Sequence, residues 1–124
     1  MIFNIDFNSE EAIYQQLYNQ IIMSIANDNI REGDSLPSVR QLAEDIGINM
    51  HTVNKTYTIL KQEGYIKLDR RRGAVIALDM DKLATMQALS DELRMIIAKA
   101  MCSNLTADEI HAVVDDVIKD FGIR

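Results

Sequence analysis

The sequence contains few of the residues from which catalytic, metal and disulfide sites are built. It has one cysteine, one proline, two histidines and no tryptophan among 124 residues. Because Cys102 is alone, an intrachain disulfide is excluded, and we expect this side chain to be buried as packing in a reducing compartment. His51 and His111 are far apart, and no Cys-x-x-Cys, His-Glu-x-x-His or glycine-rich phosphate motif occurs. We therefore expect no enzyme activity, no metal and no cofactor.

Long hydrophobic runs are also missing. The start, MIFNIDFNSEE, lacks the cationic and apolar segments of a secretory signal, and no run approaches the roughly 18 apolar residues of a membrane helix. We expect no membrane association and a cytoplasmic location. With 48% hydrophobic and 26% charged residues, the composition predicts a folded, helix-rich protein.

The net charge of −6 is distributed unevenly along the chain. Residues 1–35 carry six acids and one base, residues 77–124 carry nine acids and five bases, and residues 36–76 carry four acids and seven bases. Because salt screens charges beyond about 10 Å at 0.1 M, a local basic surface can bind phosphates on an acidic protein. The middle of the chain is therefore the candidate for nucleic-acid binding.

Two short amphipathic helices are predicted between Leu36 and Gly64, with Gly47 as the break. Pro37 is expected in the first turn of the first helix, and Asn49 is expected to cap the second. The inward positions at helical spacing are Val39, Leu42, Ala43 and Ile46, then Val53, Thr56, Tyr57 and Leu60. Two helices joined by a tight turn indicate a helix-turn-helix, with the recognition helix at about 50–63 in the DNA major groove. The side chains left outward near its start are Asn49, Met50, His51, Thr52, Asn54 and Lys55.

A basic connection between two apolar runs follows the second helix. Residues 65–69 and 74–78 read as strands, and they flank Arg70, Arg71, Arg72 and Gly73. Two strands after a helix-turn-helix make a winged helix, so the basic tip is a second candidate DNA contact. The alternative is that the three arginines form only a solvated hairpin tip.

The region before the helix-turn-helix is predicted to be scaffold. Residues 2–7 alternate apolar with polar, which indicates either a strand or an extended arm. A long helix is predicted from Glu10, after a cap at Asn8 or Ser9, to about Asn29. Its tyrosines, Tyr14 and Tyr18, are expected in the core.

Two further helices are predicted after the wing. The first runs from Asp79 or Asp81 to about Cys102, and the second follows the capping box formed by Thr106 and Glu109. Each helix has an apolar stripe that the other is too short to cover, so the leftover surface predicts self-association. The residues predicted at this dimer interface are Leu89, Leu93, Ile96, Ile97, Val113, Val114, Val117 and Phe121. Methionines in these helical patterns are expected to fill core gaps.

Residues 36–49, LPSVRQLAEDIGIN, and residues 52–66, TVNKTYTILKQEGYI, resemble the amino-terminal domain of the GntR family of bacterial transcription regulators. The resemblance extends from IYQQ at residues 13–16 to RRRGAVI at residues 70–76, and the remainder of the chain resembles the YtrA subfamily. It implies that Ser38 and Arg40 meet DNA and that Thr52 and Lys55 bind phosphates. It also implies that Met50, His51 and Asn54 set sequence preference.

One wing position departs from the family pattern, because the glycine that normally precedes the tip is Arg71. An arginine can reach phosphates, but it restricts the turn.

The sequence therefore predicts a mainly α fold with two parts. Residues 1–78 form an α+β winged helix-turn-helix that binds DNA, and residues 79–124 form a two-helix dimerisation hairpin. The predicted function is a dimeric, sequence-specific transcription regulator that binds double-stranded operator DNA at an inverted repeat. The subfamily resemblance implies a repressor of a nearby operon, such as one for an ABC transporter, and no small-molecule effector is identified. The alternative is a winged-helix adaptor that binds another protein.

Overall fold

The computed structural model describes residues 3–122. Within that range the chain forms five helices and two strands: α1 Ile13–Ala26, α2 Val39–Ile46, α3 Met50–Gln62, β1 Ile66–Asp69, β2 Gly73–Ile76, α4 Lys82–Cys102 and α5 Ala107–Asp120. They divide into two compact units, an amino-terminal unit that ends at Asp79 and a carboxy-terminal unit that begins at Met80. This is a winged helix followed by two helices, so the predicted fold class is confirmed.

The core of the amino-terminal unit is centred on α3, which contacts α1, α2 and β1. The inward positions predicted for α3 are buried, with Val53, Thr56 and Leu60 fully so. Side chains from the other elements close the same core, namely Leu17, Ile21, Leu42 and Ile76. Burying each such aliphatic side chain contributes about 1.5–3 kcal/mol, so these contacts fix the position of α3.

Residues 3–6 form an arm that packs on the body and belongs to no strand, which resolves the alternative that the sequence left open. Phe3 is buried, and Asn4 exchanges two hydrogen bonds with the side chain of Gln20. Asp6 does the same with Gln16. Ile2, which belongs to the predicted arm, lies outside the described residues.

The predicted start of α1 at Glu10 is wrong. The helix begins at Ile13, after a residue that provides no side-chain cap. Ser9 instead accepts a hydrogen bond from the backbone N–H of Glu11 in a local turn. The Gln16 side chain also donates to the Glu11 carbonyl oxygen, which gives that group a partner outside a helical ladder.

The helix-turn-helix is capped at each junction. Ser38 caps α2 through its hydroxyl oxygen, which accepts from Gln41 N at 3.1 Å, so Pro37 lies before the cap and not in the first turn as predicted. Gly47 ends α2 with φ +72°, a left-handed conformation that glycine adopts without a Cβ clash. Asn49 then caps α3, as predicted.

The wing is a two-stranded antiparallel sheet, with Ile66 paired to Ile76 and Asp69 paired to Gly73. The segment that leads into α2 adds a bridge on the far side of β2, where Ser35 pairs with Val75. The residues before α2 are therefore part of the wing sheet.

The carboxy-terminal unit has helices with well-formed ends. Asp81 caps α4, and Thr106 with Glu109 forms the predicted capping box at the start of α5. Neither helix buries a residue among those described. Cys102, predicted to be buried, is exposed at the last position of α4.

The predicted burial of the methionines is also wrong. Met86, Met95 and Met101 on α4 are exposed in the single chain, and so is Met23 on α1. The helical spacing identified apolar residues on α4, but these methionines are not covered by any part of residues 3–122.

Candidate nucleic-acid interface

The face of α3 that the core does not use is polar and lies at the start of the helix. Burial of four positions on one side leaves Met50, His51, Asn54 and Lys55 exposed, with Thr52 half-buried. Asn49 is also exposed, and its side-chain oxygen accepts from His51 N at 2.7 Å. These are the residues predicted as recognition contacts, and the fold gathers them around one helix terminus.

Two buried hydroxyl groups hold α3 against its neighbours. Thr56 Oγ1 donates to the Tyr14 carbonyl oxygen of α1 at 3.0 Å, and Tyr57 Oη donates to the Pro37 carbonyl oxygen at 2.7 Å. Burial raises the pKa of Tyr57, so this phenol remains a donor even at an alkaline pH at which an exposed tyrosine ionises. The sequence pattern assigned both residues to the core but gave no indication of these hydrogen bonds, because apolar spacing carries no information on a polar partner.

One of the two lysines of α3 is also held in place. Lys55 Nζ lies 3.8 Å from the centroid of the Tyr14 ring, a cation–π contact that leaves the ammonium exposed. Tyr14 and Tyr18, predicted as core residues, are only half-buried, and the Tyr18 hydroxyl donates to Glu63. One face of Tyr14 therefore belongs to the surface next to the recognition residues.

The start of α2 contributes two further predicted contacts. Ser38 and Arg40 are exposed, and the Tyr57 hydrogen bond joins the residue before Ser38 to the middle of α3. Because Ser38 uses its oxygen as an acceptor in the cap, its hydroxyl proton remains available to donate to a phosphate. A helix terminus with free backbone N–H groups also favours anions.

The wing tip has a defined turn and not an open loop. Asp69 Oδ1 accepts from the backbone N–H groups of Arg71 at 2.8 Å and Arg72 at 3.0 Å. These two N–H groups hold the pKa of the Asp69 carboxyl below its usual value, and the charges of Arg72 and Lys67 act in the same direction. The arginines and Gly73 are all exposed.

The guanidinium of Arg72 is engaged within the chain, because its Nη2 donates to the Gly33 carbonyl oxygen. The side chains of Arg70 and Arg71 make no comparable hydrogen bond to residues 3–122. Sequence reasoning singled out Arg71 as a departure from the family pattern but predicted all three arginines as DNA contacts, because the sequence does not show which of them the fold engages within the chain.

The wing and the helix-turn-helix are joined by the segment 33–36. Gly33 N donates to the Ile76 carbonyl, Leu36 N donates to the Ala74 carbonyl, and Ile76 N donates to the Asp34 carbonyl, each at 2.8 Å. Pro37 then receives the Tyr57 hydroxyl. The wing, the start of α2 and the middle of α3 are thus linked by one short stretch of chain.

The residues predicted at a dimer interface are accessible on the carboxy-terminal unit. Leu93 and Ile97 of α4 and Phe121 after α5 are half-buried. The others are exposed, namely Leu89, Ile96, Val113, Val114 and Val117. On α4, Leu89, Leu93 and Ile97 border a groove that also includes Met86, Arg94 and Met101, and Ile96 lies outside its lining.

The described part of the chain contains no candidate metal site and no candidate membrane-spanning helix. Within residues 3–122, no group of three or more His, Cys, Asp or Glu side chains could hold a metal ion. In the same range, no helix combines the length and the apolar composition needed to cross a bilayer.

Comparison with known proteins agrees with this geometry. The model of the family described as bacterial regulatory proteins, gntR family, matches residues 13–76. The chain is 30% identical over 119 residues to the HTH-type transcriptional repressor YtrA of Bacillus subtilis, covering 94% of this chain and 92% of that protein.

Solved structures also resemble the chain over nearly its whole length. YtrA from Sulfolobus acidocaldarius, a GntR-family transcription factor, is 38% identical with a TM-score of 0.60, covering 95% of this chain and 97% of that one. A transcriptional antiterminator from Listeria monocytogenes EGD-e is 27% identical with a TM-score of 0.82, covering 98% and 92%.

Proposed function

The chain belongs to the gntR family of bacterial regulatory proteins, whose members are DNA-binding transcription regulators and not enzymes, and from this premise we propose that it is a dimeric, operator-specific repressor. The main support for the proposal is the exposed, largely polar surface at the start of α3. The opposite face of this helix is buried in the core. Family membership also favours this function over that of a protein-binding adaptor. The subfamily resemblance adds a neighbouring transporter operon as the proposed target.

The proposed DNA contacts follow the exposed positions. Arg40 provides a forked guanidinium that can bind a guanine edge or a phosphate with two hydrogen bonds. Residues that suit phosphates are Ser38, Thr52 and Lys55, and residues that suit base edges are Asn49, Met50, His51 and Asn54. The basic wing tip, Arg70 to Gly73, would lie along the backbone or in the minor groove.

Dimerisation is proposed because the single chain leaves a large apolar surface on α4 and α5 in contact with water. An ordinary specific interface buries about 800 Å² per partner, an area that two stripes of this kind can supply. Two copies related by a two-fold axis would read an inverted repeat, with half-sites centred about 10 base pairs apart or a small multiple of that.

The test is selection of binding sites from random duplex DNA, followed by a salt titration on the tightest duplex. If each of two subunits neutralises about three to five phosphates, log K falls with log salt at a slope of roughly −5 to −9. Arg40→Ala should weaken binding by about 1–3 kcal/mol, and His51→Ala should change the selected sequence.

The matched control is Lys82→Ala, which removes an exposed cation at the start of α4, outside the proposed contacts. It should leave both the slope and the selected sequence as in the wild type. A flat salt dependence, or a pool that yields no preferred duplex, would overturn the proposed function.

A further inference from the structure

The wing tip is organised by two interactions within the chain. The first is the turn in which Asp69 accepts the N–H groups of Arg71 and Arg72, and the second is the hydrogen bond from the Arg72 guanidinium to the Gly33 carbonyl. Gly33 also donates its own N–H to Ile76 of β2. Both backbone groups of Gly33 are therefore used by the wing, one by a strand and one by the tip.

The turn also removes the steric objection to an arginine at position 71. Among residues 3–122, the residues other than glycine with positive φ are Asp28 and Asn104, so Arg71 does not occupy the left-handed region. Gly73 takes that conformation instead, with φ +72°. The altered wing therefore keeps a regular turn, and the Arg71 side chain is exposed at its tip.

From this arrangement we propose that Arg72 is a positioning residue, which anchors the wing tip to the Gly33 turn, and that Arg70 and Arg71 make the phosphate contacts of the wing. A charged donor to a carbonyl oxygen is stronger than a neutral one, and a guanidinium held in this way is not free to follow a phosphate. The proposal rests on the proposed function and refines it, because the sequence had placed all three arginines on DNA.

The first test needs no DNA. In an NMR spectrum of the free protein, the guanidinium N–H signals of Arg72, assigned with Arg72→Ala, should exchange with water more slowly than those of Arg70 and Arg71. Equal exchange of the three arginines would overturn the anchoring of Arg72.

The second test compares three matched alanine variants on the selected duplex. Arg70→Ala and Arg71→Ala should each make the salt slope shallower by about 1.8, because one phosphate contact is lost per subunit in a dimer. Arg72→Ala should change the slope by less than half of that while weakening affinity roughly 3- to 10-fold, because the tip must then be ordered on binding.

The outcomes separate the two proposals. A slope change for Arg72→Ala as large as that for Arg71→Ala would make Arg72 a phosphate contact and overturn this inference while leaving the proposed function in place. Absence of any duplex binding by the wild type would instead overturn the proposed function, and the exchange measurement would still decide whether Arg72 is anchored.

Discussion

At the scale of single residues, the orientation of α3 depends on two hydroxyl groups whose hydrogen bonds the sequence pattern does not predict. Thr56 and Tyr57 are buried next to each other, and each donates to a backbone carbonyl of a different segment. A hydrogen bond within a protein contributes about 0.5–1.5 kcal/mol net, and its geometry is directional, so these two contacts affect orientation as well as stability.

The hydrogen bond of Tyr57 leads to a prediction about alkaline pH. Folding holds the pKa of Tyr57 above its ordinary value of about 10, so above pH 10 the unfolded chain releases this proton and the folded chain keeps it. The stabilisation is complete below pH 10 and is lost as the pH rises toward the folded pKa. In urea unfolding, wild type should exceed Tyr57→Phe by about 0.5–1.5 kcal/mol at pH 8, and the difference should shrink above pH 10.

Tyr57→Phe is its own control, because the remaining three tyrosines are common to both proteins and cancel in the difference. A difference that stays constant between pH 8 and 11 would show that the Tyr57 phenol ionises alike in both states.

Two residues at the end of α4 show that burial cannot be predicted from the sequence pattern alone. Cys102 and Met101 lie at positions that the apolar pattern placed inside, and both are exposed in the chain. A pattern can identify an apolar stripe, but whether a side chain is buried depends on what packs against it, which one sequence does not state.

At the scale of elements, the turn between α2 and α3 depends on Gly47. Its φ of +72° is strained for any residue with a Cβ, although no atom lies within 4 Å of where that Cβ would be. Gly47→Ala should therefore lower the free energy of unfolding by about 1–2 kcal/mol through backbone strain alone. Urea unfolding at fixed protein concentration measures this, since the proposed dimerisation would make stability depend on concentration.

Gly47→Asn is the matched variant, because asparagine tolerates the left-handed region better than alanine. It should recover part of the loss. Equal stability of Gly47→Ala and the wild type would mean that the turn adopts another conformation.

Most elements could be predicted because their ends carry local sequence signals. Gly47, Asn49 and the pair Thr106 and Glu109 each satisfy backbone groups locally, so a few neighbouring residues decide the boundary. The start of α1 could not be predicted in this way. It depends on Gln16 reaching back to the arm, a contact between residues that are 10 apart in sequence.

The exposed face of α3 was predictable for a related reason. Once Val53 and Leu60 are assigned to the buried face of α3, the helical period assigns the remaining positions to the exposed face. The bond from Arg72 to Gly33 spans 39 positions and has no local pattern, so it appears only in the folded chain.

At the scale of the whole molecule, the exposed stripe of α4 predicts that assembly controls DNA affinity. Leu93→Asp places a charge on that stripe and should make the protein monomeric in sedimentation at micromolar concentration. Linking two half-site contacts multiplies affinity by a factor of order 10² or more, so the monomer should bind the selected duplex at least that much more weakly.

Met95→Asp is the matched control. Met95 is also an exposed apolar residue of α4, but it is two positions from Leu93 and so points away from the groove. It should sediment as the wild type does. Dimers of Leu93→Asp with undiminished DNA affinity would exclude this surface as the interface.

The segment 33–36 has a consequence for how chains of this kind can change in length. Its register on β2 is fixed by three backbone hydrogen bonds, and Leu36 at its end is buried. Inserting one residue here would turn alternate side chains to the opposite face and bring Leu36 out of the core. An insertion at the tip, beyond the last strand pair of Asp69 with Gly73, disturbs the exposed Asp69 turn and the Arg72 hydrogen bond but displaces no core residue. We therefore expect the fold to tolerate insertions at the tip. Such insertions would lengthen the wing and leave the position of the helix-turn-helix unchanged.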